Sequence, residues 1–318
     1  MPNKLKKILF VDTVHPILEE RLLELGYSCS HDLTSNKETV ELNIDNYFGL
    51  VIRSRFPIDR QFLDKSKNLK FIARSGAGLE NIDVAYAEEK GIKVFNSPEG
   101  NMDAVGEQAI GMLLMLFNQL KKGDAEVRTG IWDREGNRGL ELSGKTVGII
   151  GCGNMGKALA KKLSGFGCKV LGYDKYKRGF GNATVEEVSL IEIFEKTDVL
   201  SIHLPLSEET YHYVNDKLLS SFKKPIYLIN TARGNNVSTA ALVKGLKNKT
   251  VLGACLDVLE YETKSFETIS SEELPEDFNY LTQSRNVILS PHVAGWTKES
   301  YVKLSSFLAD KIQVSFSA

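Results

Sequence analysis

Three glycines, at 151, 153 and 156 in Gly-Cys-Gly-Asn-Met-Gly, stand between an apolar run, Thr146 to Ile150, and a helical stretch, Met155 to Phe166. Few features restrict a chain more. The first glycine permits a tight turn, the second lets backbone approach a phosphate, and the third lets helix and strand pack closely. The helix N-terminus then presents unpaired N–H groups to negative charge. Asp174 ends the next apolar run, Lys169 to Tyr173. A carboxylate there can accept both hydroxyls of a ribose and repel an added phosphate, which favours NAD. Lys175, Lys177 and Arg178 keep NADP as the lesser option. Gly151, Gly153, Asn154, Met155, Gly156 and Asp174 are therefore candidate cofactor contacts.

The same alternation runs along the chain. Strands are expected at Lys7 to Asp12, Leu50 to Arg53, Leu69 to Ala73, Ile92 to Phe95, Val199 to Leu204, Ile226 to Ile229, Val251 to Leu256 and Val287 to Leu289. Helices are expected over Ile17 to Leu25, Asp103 to Leu120 and Lys298 to Val314. Strands separated by helices imply parallel sheets covered on both faces, an α/β chain of two doubly wound domains. Crossings near Pro98-Glu99-Gly100 and Gly295 predict one domain from residues 1–98 and 296–318 and a dinucleotide-binding domain from 99–295. Two crossings make a hinge, and the expected cleft would hold the chemistry. The acidic stretch Thr263 to Arg285 reads as a loop of about 20 residues.

Composition excludes several function classes. Forty Lys plus Arg against 41 Asp plus Glu leave a net charge of −1, so no global field draws in nucleic acid or an anionic membrane. The apolar runs fall well short of the roughly 20 residues that a membrane helix needs. Cys29, Cys152, Cys168 and Cys255 are scattered, without a CxxC pair, and read as reduced thiols in a cytoplasmic protein. No His, Cys or Asp grouping has metal-ligand spacing, and no metal is expected.

Arg233, Glu262 and His292 follow the glycine turn in that order. Singly, each reads as an ordinary surface or capping residue. Together they supply a guanidinium that matches a carboxylate bidentately, an acid–base imidazole with an ordinary pKa near 6.5, and a carboxylate to orient it. Glu260 is the fallback for Glu262. His15, His31 and His212 read as surface residues.

Val-Ile-Arg-Ser-Arg at 51 to 55, Ala-Arg-Ser-Gly-Ala-Gly-Leu-Glu-Asn-Ile-Asp at 73 to 83, Asn-Ser-Pro-Glu-Gly-Asn at 96 to 101, His-Leu-Pro-Leu at 203 to 206, Asn-Thr-Ala-Arg-Gly at 230 to 234, Leu-Asp-Val at 256 to 258 and Ser-Pro-His at 290 to 292 resemble the D-isomer-specific 2-hydroxyacid dehydrogenases. The resemblance runs nearly end to end. It implies a flavodoxin-like substrate domain beside a Rossmann domain. It implies that Arg233 holds the substrate carboxylate, His292 exchanges a proton with the substrate oxygen, and Glu262 orients the ring. It adds cofactor contacts at Leu204, Pro205, Thr231, Ala232, Asp257 and Gly295, and substrate contacts at Ser75, Gly76, Ala77 and Gly78. Thr263 departs from the family's usual proline after the glutamate.

Arg53, Ser54 and Arg55 resemble the D-3-phosphoglycerate dehydrogenase branch, whose substrate carries a phosphate. Oxidation of 3-phosphoglycerate to 3-phosphohydroxypyruvate, toward serine, is the expected reaction. Reduction of glyoxylate, hydroxypyruvate or another 2-keto acid is the alternative, and an NADH-sensing scaffold is the reading from another class. The chain ends soon after His292, so the added regulatory domains of longer members are not expected. The apolar helix from Asp103 to Leu120 suggests a homodimer, with Arg134 and Arg138 reaching across it.

Overall fold

The computed structural model describes residues 6–262 and 274–316. These form two compact units, one from residues up to 101 and from 296 onward, the other from 102 to 295.

The first unit is a five-stranded parallel sheet of β1 (Lys7–Phe10), β2 (Ser28–His31), β3 (Gly49–Ile52), β4 (Phe71–Arg74) and β5 (Lys93–Phe95). The order is β2-β1-β3-β4-β5, that of flavodoxin-like sheets. All four residues of β3 are buried, as expected for a strand covered on both faces. The helix Lys298–Phe316 lays Leu308, Ala309 and Ile312 against Ile8, Phe10 and Phe71. β2 was not legible in the sequence. It is an edge strand, Ser-Cys-Ser-His, with no fully buried residue.

The second unit is a seven-stranded parallel sheet: β6 (Thr146–Ile150), β7 (Lys169–Tyr173), β8 (Glu186–Glu187), β9 (Val199–Ile202), β10 (Ile226–Asn230), β11 (Val251–Leu256) and β12 (Val287–Leu289). Its order, β12-β11-β10-β9-β6-β7-β8, reverses direction between β6 and β9. Ligands of open α/β sheets bind outside the carboxyl ends of strands at such a reversal. The glycine turn leaves β6 there, and His203 leaves β9 beside it, with its N–H donating to Ile150 O.

Two expectations need correction. The apolar helix spans Pro98–Phe117, and Ala109, Ile110, Met112, Leu113 and Phe117 are buried against Ile149, Ile229 and Cys255 in the core of the second unit. Most of its apolar surface is therefore covered within the chain, which removes the main sequence argument for a dimer. The acidic stretch is not all loop: Glu276–Gln283 is a helix with Leu281 buried. Residues 263–273 lie outside the described residues. Among the described residues no helix is long and apolar enough to cross a membrane.

Candidate active site

The glycine turn assigns a separate reason to each glycine. Gly151 has φ +94°, and a Cβ there would lie 2.4 Å from His203 O. At Gly156 a Cβ would meet Gly151 O at 2.2 Å, so the helix Asn154–Leu163 could not approach β6. Gly153 is different. A Cβ there would meet nothing nearer than Lys177 Nζ at 3.7 Å. Protein packing does not demand that glycine, which leaves its open face for a ligand. Cys152, between them, is buried, and burial pushes its thiol up to about 12.

Asp174 closes the turn from the other side. Its Oδ2 accepts from Cys152 N at 2.9 Å, and its Oδ1 from Tyr176 and Lys177 N, both at 3.0 Å. Lys175 pairs with Glu209, which also accepts from the Tyr176 hydroxyl. Arg178 donates to the carbonyls of Asp174 and Lys177. Two polar atoms at neighbouring strand ends are buried without a partner among the described residues: Thr231 Oγ1 after β10 and His203 Nδ1 after β9. Orphaned buried groups cost free energy unless a ligand satisfies them, so these atoms suit the polar rim of a dinucleotide site. Pro205 O accepts from Thr210 Oγ1 at 2.6 Å, and Leu204 packs on the apolar core.

Arg233, Glu262 and His292 all belong to the second unit. Asn230, at the end of β10 and 1 % exposed, shapes the arginine turn. Its Oδ1 accepts from Ala232 N at 3.0 Å and its Nδ2 donates to Arg233 O at 2.9 Å. Arg233 Nη1 donates to Ala232 O at 2.7 Å. The next residue, Gly234, lies so close to the 257–262 loop that a Cβ would sit 2.0 Å from Leu259 O. That contact ties the arginine turn to the loop carrying Glu262.

Glu262 Oε1 accepts from Leu259 N at 2.5 Å, and its Oε2 lies 2.6 Å from His292 Nδ1. Glu260 is engaged elsewhere, with His212 and with Thr239 N at the start of the helix Thr239–Lys247. The carboxylate that meets His292 is thus Glu262, and His212 is a partner of Glu260 instead of a bystander.

Asp257 holds the histidine turn. Its buried carboxylate accepts from Ser290 Oγ at 2.6 Å, Val293 N at 2.9 Å and Ala294 N at 2.8 Å, while its carbonyl accepts from His292 N at 2.8 Å. The resemblance implied a cofactor contact for Asp257; three donors of the histidine turn already hold this carboxylate, with Oδ2 accepting only one of them. His292 has φ +53°, a conformation uncommon for a side chain larger than glycine and one that proteins concentrate at functional sites. Gly295 follows at the end of the second unit.

In the first unit Ser75 is buried and its N–H donates to Ile52 O at 2.9 Å. Gly76 has φ +154°, and a Cβ there would meet the Arg74 guanidinium. Ala77 O accepts from Asn96 Nδ2 at 2.6 Å, and Gly78 follows in the same loop. The Arg53-Ser54-Arg55 stretch divides in a way the sequence did not reveal. Asp12 Oδ2 accepts from all three backbone N–H groups, at 2.6, 3.1 and 3.3 Å. Arg55 donates to the carbonyls of Val11 (2.8 Å), Asp32 and Ser35. Three of its five N–H donors tie loops together, which leaves fewer for the expected anion. The Arg53 guanidinium lies over the Trp296 ring, with Cζ 4.5 Å from the ring centroid. Arg138 pairs locally with Glu135. Asn230, Asp12, Ser290 and Trp296 were all missed in the sequence. The Asx-turn signal of Asn before Thr-Ala-Arg could have flagged the first.

The fold and these contacts describe a dinucleotide-binding unit with an Arg, Glu and His set at its strand ends. The family described as "D-isomer specific 2-hydroxyacid dehydrogenase, NAD binding domain" matches residues 110–294. A glyoxylate reductase of Thermofilum pendens is 38% identical over 287 residues, covering 88% of this chain and 81% of that protein. A D-3-phosphoglycerate dehydrogenase of Rattus norvegicus is 32% identical over 310 residues, 96% of this chain and 55% of that longer protein. The crystal structure of D-lactate dehydrogenase from Aquifex aeolicus, complexed with NAD and lactic acid, superposes with a TM-score of 0.82 at 28% identity, covering 98% and 96% of the two chains. The chain belongs to the D-isomer specific 2-hydroxyacid dehydrogenase family, and it carries that family's NAD-binding domain.

Proposed function

We propose that this chain interconverts a D-2-hydroxy acid and its 2-keto acid with NAD(H), and that the physiological pair is 3-phosphoglycerate and 3-phosphohydroxypyruvate. The observation that carries the chemistry is the 2.6 Å contact of Glu262 with His292, on a loop that Gly234 ties to the Arg233 turn. Arg233 holds the substrate carboxylate and polarises the neighbouring carbonyl. Glu262 takes Nδ1, so Nε2 is the nitrogen that gives a proton to the carbonyl oxygen in reduction and removes it in oxidation. When bound, the nicotinamide supplies the hydride chemistry. Gly76, Ala77 and Gly78 add backbone N–H contacts to the carboxylate, while the Ser75 N–H, given to Ile52 O, braces the start of their loop. Arg53 and Ser54 receive the phosphate.

NAD is the preferred cofactor in this reading. Asp174 stands at the end of β7, and Lys175, the nearest cation in sequence, is already paired with Glu209. A second reading, reduction of glyoxylate or hydroxypyruvate, draws support from the Thermofilum relative and from the commitment of Arg55 to carbonyls. A substrate panel with NADH and NADPH, followed at 340 nm, decides between them. Equal kcat/KM for 3-phosphohydroxypyruvate and hydroxypyruvate would end the phosphate assignment. A homodimer and a cytoplasmic location complete the proposal. Val127, Ile131 and Trp132 form an exposed apolar surface after the long helix, with Trp132 79% exposed, and the four cysteines are free thiols. Light scattering that returned a 35.4 kDa particle would remove the dimer.

A further inference from the structure

Six donors of Arg53-Ser54-Arg55 are engaged inside the first unit. Asp12 takes the backbone N–H groups, and three carbonyls take the Arg55 guanidinium. Arg53 is the exception. No hydrogen bond or ion pair occupies its guanidinium among the described residues, and its partner is the face of an aromatic ring. That ring, Trp296, is 61% exposed and lies 4.5 Å from Arg53 Cζ. Exposed indoles are unusual unless they serve a contact, since a ring of that size gains most from burial.

The backbone under the indole is fixed. Thr297 Oγ1 accepts from Ser300 N at 3.0 Å, and Ser300 Oγ accepts from Thr297 N at 2.9 Å, a reciprocal cap at the start of the helix Lys298–Phe316. On the other side, Arg53 N is held by Asp12, and Arg53 O accepts from Arg74 Nε at 3.2 Å and Asn81 Nδ2 at 3.3 Å. Both ends of the stacked pair therefore start from anchored backbone. A guanidinium stacked on an indole keeps its N–H edges in its own plane and outside the stack. Such a group is oriented before an anion arrives, so less side-chain freedom is lost on binding.

We propose that Trp296 is a specificity-determining positioning residue. It is a platform that holds the Arg53 guanidinium edge-on to a second anionic group of the substrate, distal to the 2-oxo acid carboxylate. The substrate class is 2-oxo acids with an anionic tail, a phosphate monoester or a second carboxylate. This rests on the reading of Arg53 as a substrate contact. It adds that selectivity depends on the indole and not on the arginine alone.

The test is the ratio of kcat/KM for a tailed substrate to that for hydroxypyruvate, measured with NADH for 3-phosphohydroxypyruvate and for oxaloacetate. Trp296→Ala should lower this ratio about tenfold through KM, with kcat for the tailed substrate within about twofold, the scale of an exposed cation–π contact plus lost orientation. Trp296→Phe should restore most of it. A fall with phosphohydroxypyruvate alone identifies the tail as a phosphate, and a fall with both identifies a general anion site. If Arg53→Ala lowers the ratio and Trp296→Ala does not, the platform is wrong and the substrate reading stands. If neither does, the anionic-tail reading fails and the platform falls with it. Binding gives an independent readout. In Trp132→Phe, Trp296 is the sole indole, and 3-phosphoglycerate should change its fluorescence where glycolate does not. An identical response to both ligands overturns the proposal.

Discussion

His292 Nδ1 and Glu262 Oε2 lie 2.6 Å apart, with the other oxygen of Glu262 held by Leu259 N. The carboxylate is thus oriented by its own loop before it orients the ring. Glu262→Gln preserves the volume but weakens a charge-assisted bond. We expect kcat to fall about 10- to 100-fold, while His292→Gln loses about 10²- to 10⁴-fold, the usual contribution of a positioned acid–base group. NADH affinity, followed by fluorescence titration, should change little in either. A His292→Gln protein with undiminished turnover would remove the histidine from the reaction.

Gly234 is the joint between the arginine turn and the glutamate loop. In Gly234→Ala the new carbon would stand 2.0 Å from Leu259 O and 2.1 Å from Leu259 C, backbone atoms that cannot swing aside. The loops must separate, at a cost of about 1–3 kcal/mol, and KM for the keto acid should rise with the loss of stability. Gly165→Ala is the control, because a Cβ there meets nothing within 4 Å. Equal melting temperatures for the two variants would contradict the packing argument.

Asp257 is 1 % exposed and accepts from three donors of the His292 turn. Asp257→Asn places an amide N–H₂ against a donor and leaves a buried group unsatisfied, a cost of about 1–3 kcal/mol. Urea unfolding should register that loss together with reduced kcat. A variant with full activity and stability would show that the turn holds itself.

His203 carries the pH prediction. Burial pulls its imidazole down to about 4, so it is neutral in the folded chain, while in the unfolded chain it titrates at its ordinary value near 6.5. Its contribution to stability is therefore complete above about pH 6.5 and declines as pH falls toward 4, by up to about 3 kcal/mol. Denaturation at pH 7.5 and pH 5 should show a smaller acid loss in His203→Gln than in the parent. Parallel losses would locate the acid sensitivity elsewhere.

Glu209 pairs with Lys175 and also accepts from the Tyr176 hydroxyl. Glu209→Gln releases the lysine charge beside Asp174. KM for NADPH should then drop several-fold, with a much smaller change for NADH. An unaltered cofactor ratio would mean that Asp174 alone sets the preference.

The parts of the site that were legible in the sequence are those where one residue type suffices. Three glycines between a strand and a helix, and an acid ending the next strand, state their chemistry by type and spacing. Strands buried on both faces, such as Gly49–Ile52 and Val199–Ile202, show as continuous apolar runs. The edge strands Ser28–His31 and Glu186–Glu187 do not, because an edge takes its hydrogen bonds from a neighbour and needs little apolar side chain. The helix Glu276–Gln283 was lost for a similar reason: Leu281 alone is fully buried, and acidic and polar residues surround it.

Sequence by itself determined the family and the order of the motifs, and it offered Arg233 and His292 as site candidates with two glutamates, Glu260 and Glu262, to choose between. Only tertiary structure decided which carboxylate meets the imidazole. Glu260 and Glu262 are two residues apart and chemically alike, and the choice between them depends on where His212, Thr239 and His292 stand in space. The same holds for Arg53 and Arg55. Both are guanidiniums of one motif, but three carbonyls surround the second and an indole faces the first. A side chain's type sets what it can bind. Its neighbours, brought from distant parts of the chain, set what it has left to bind with.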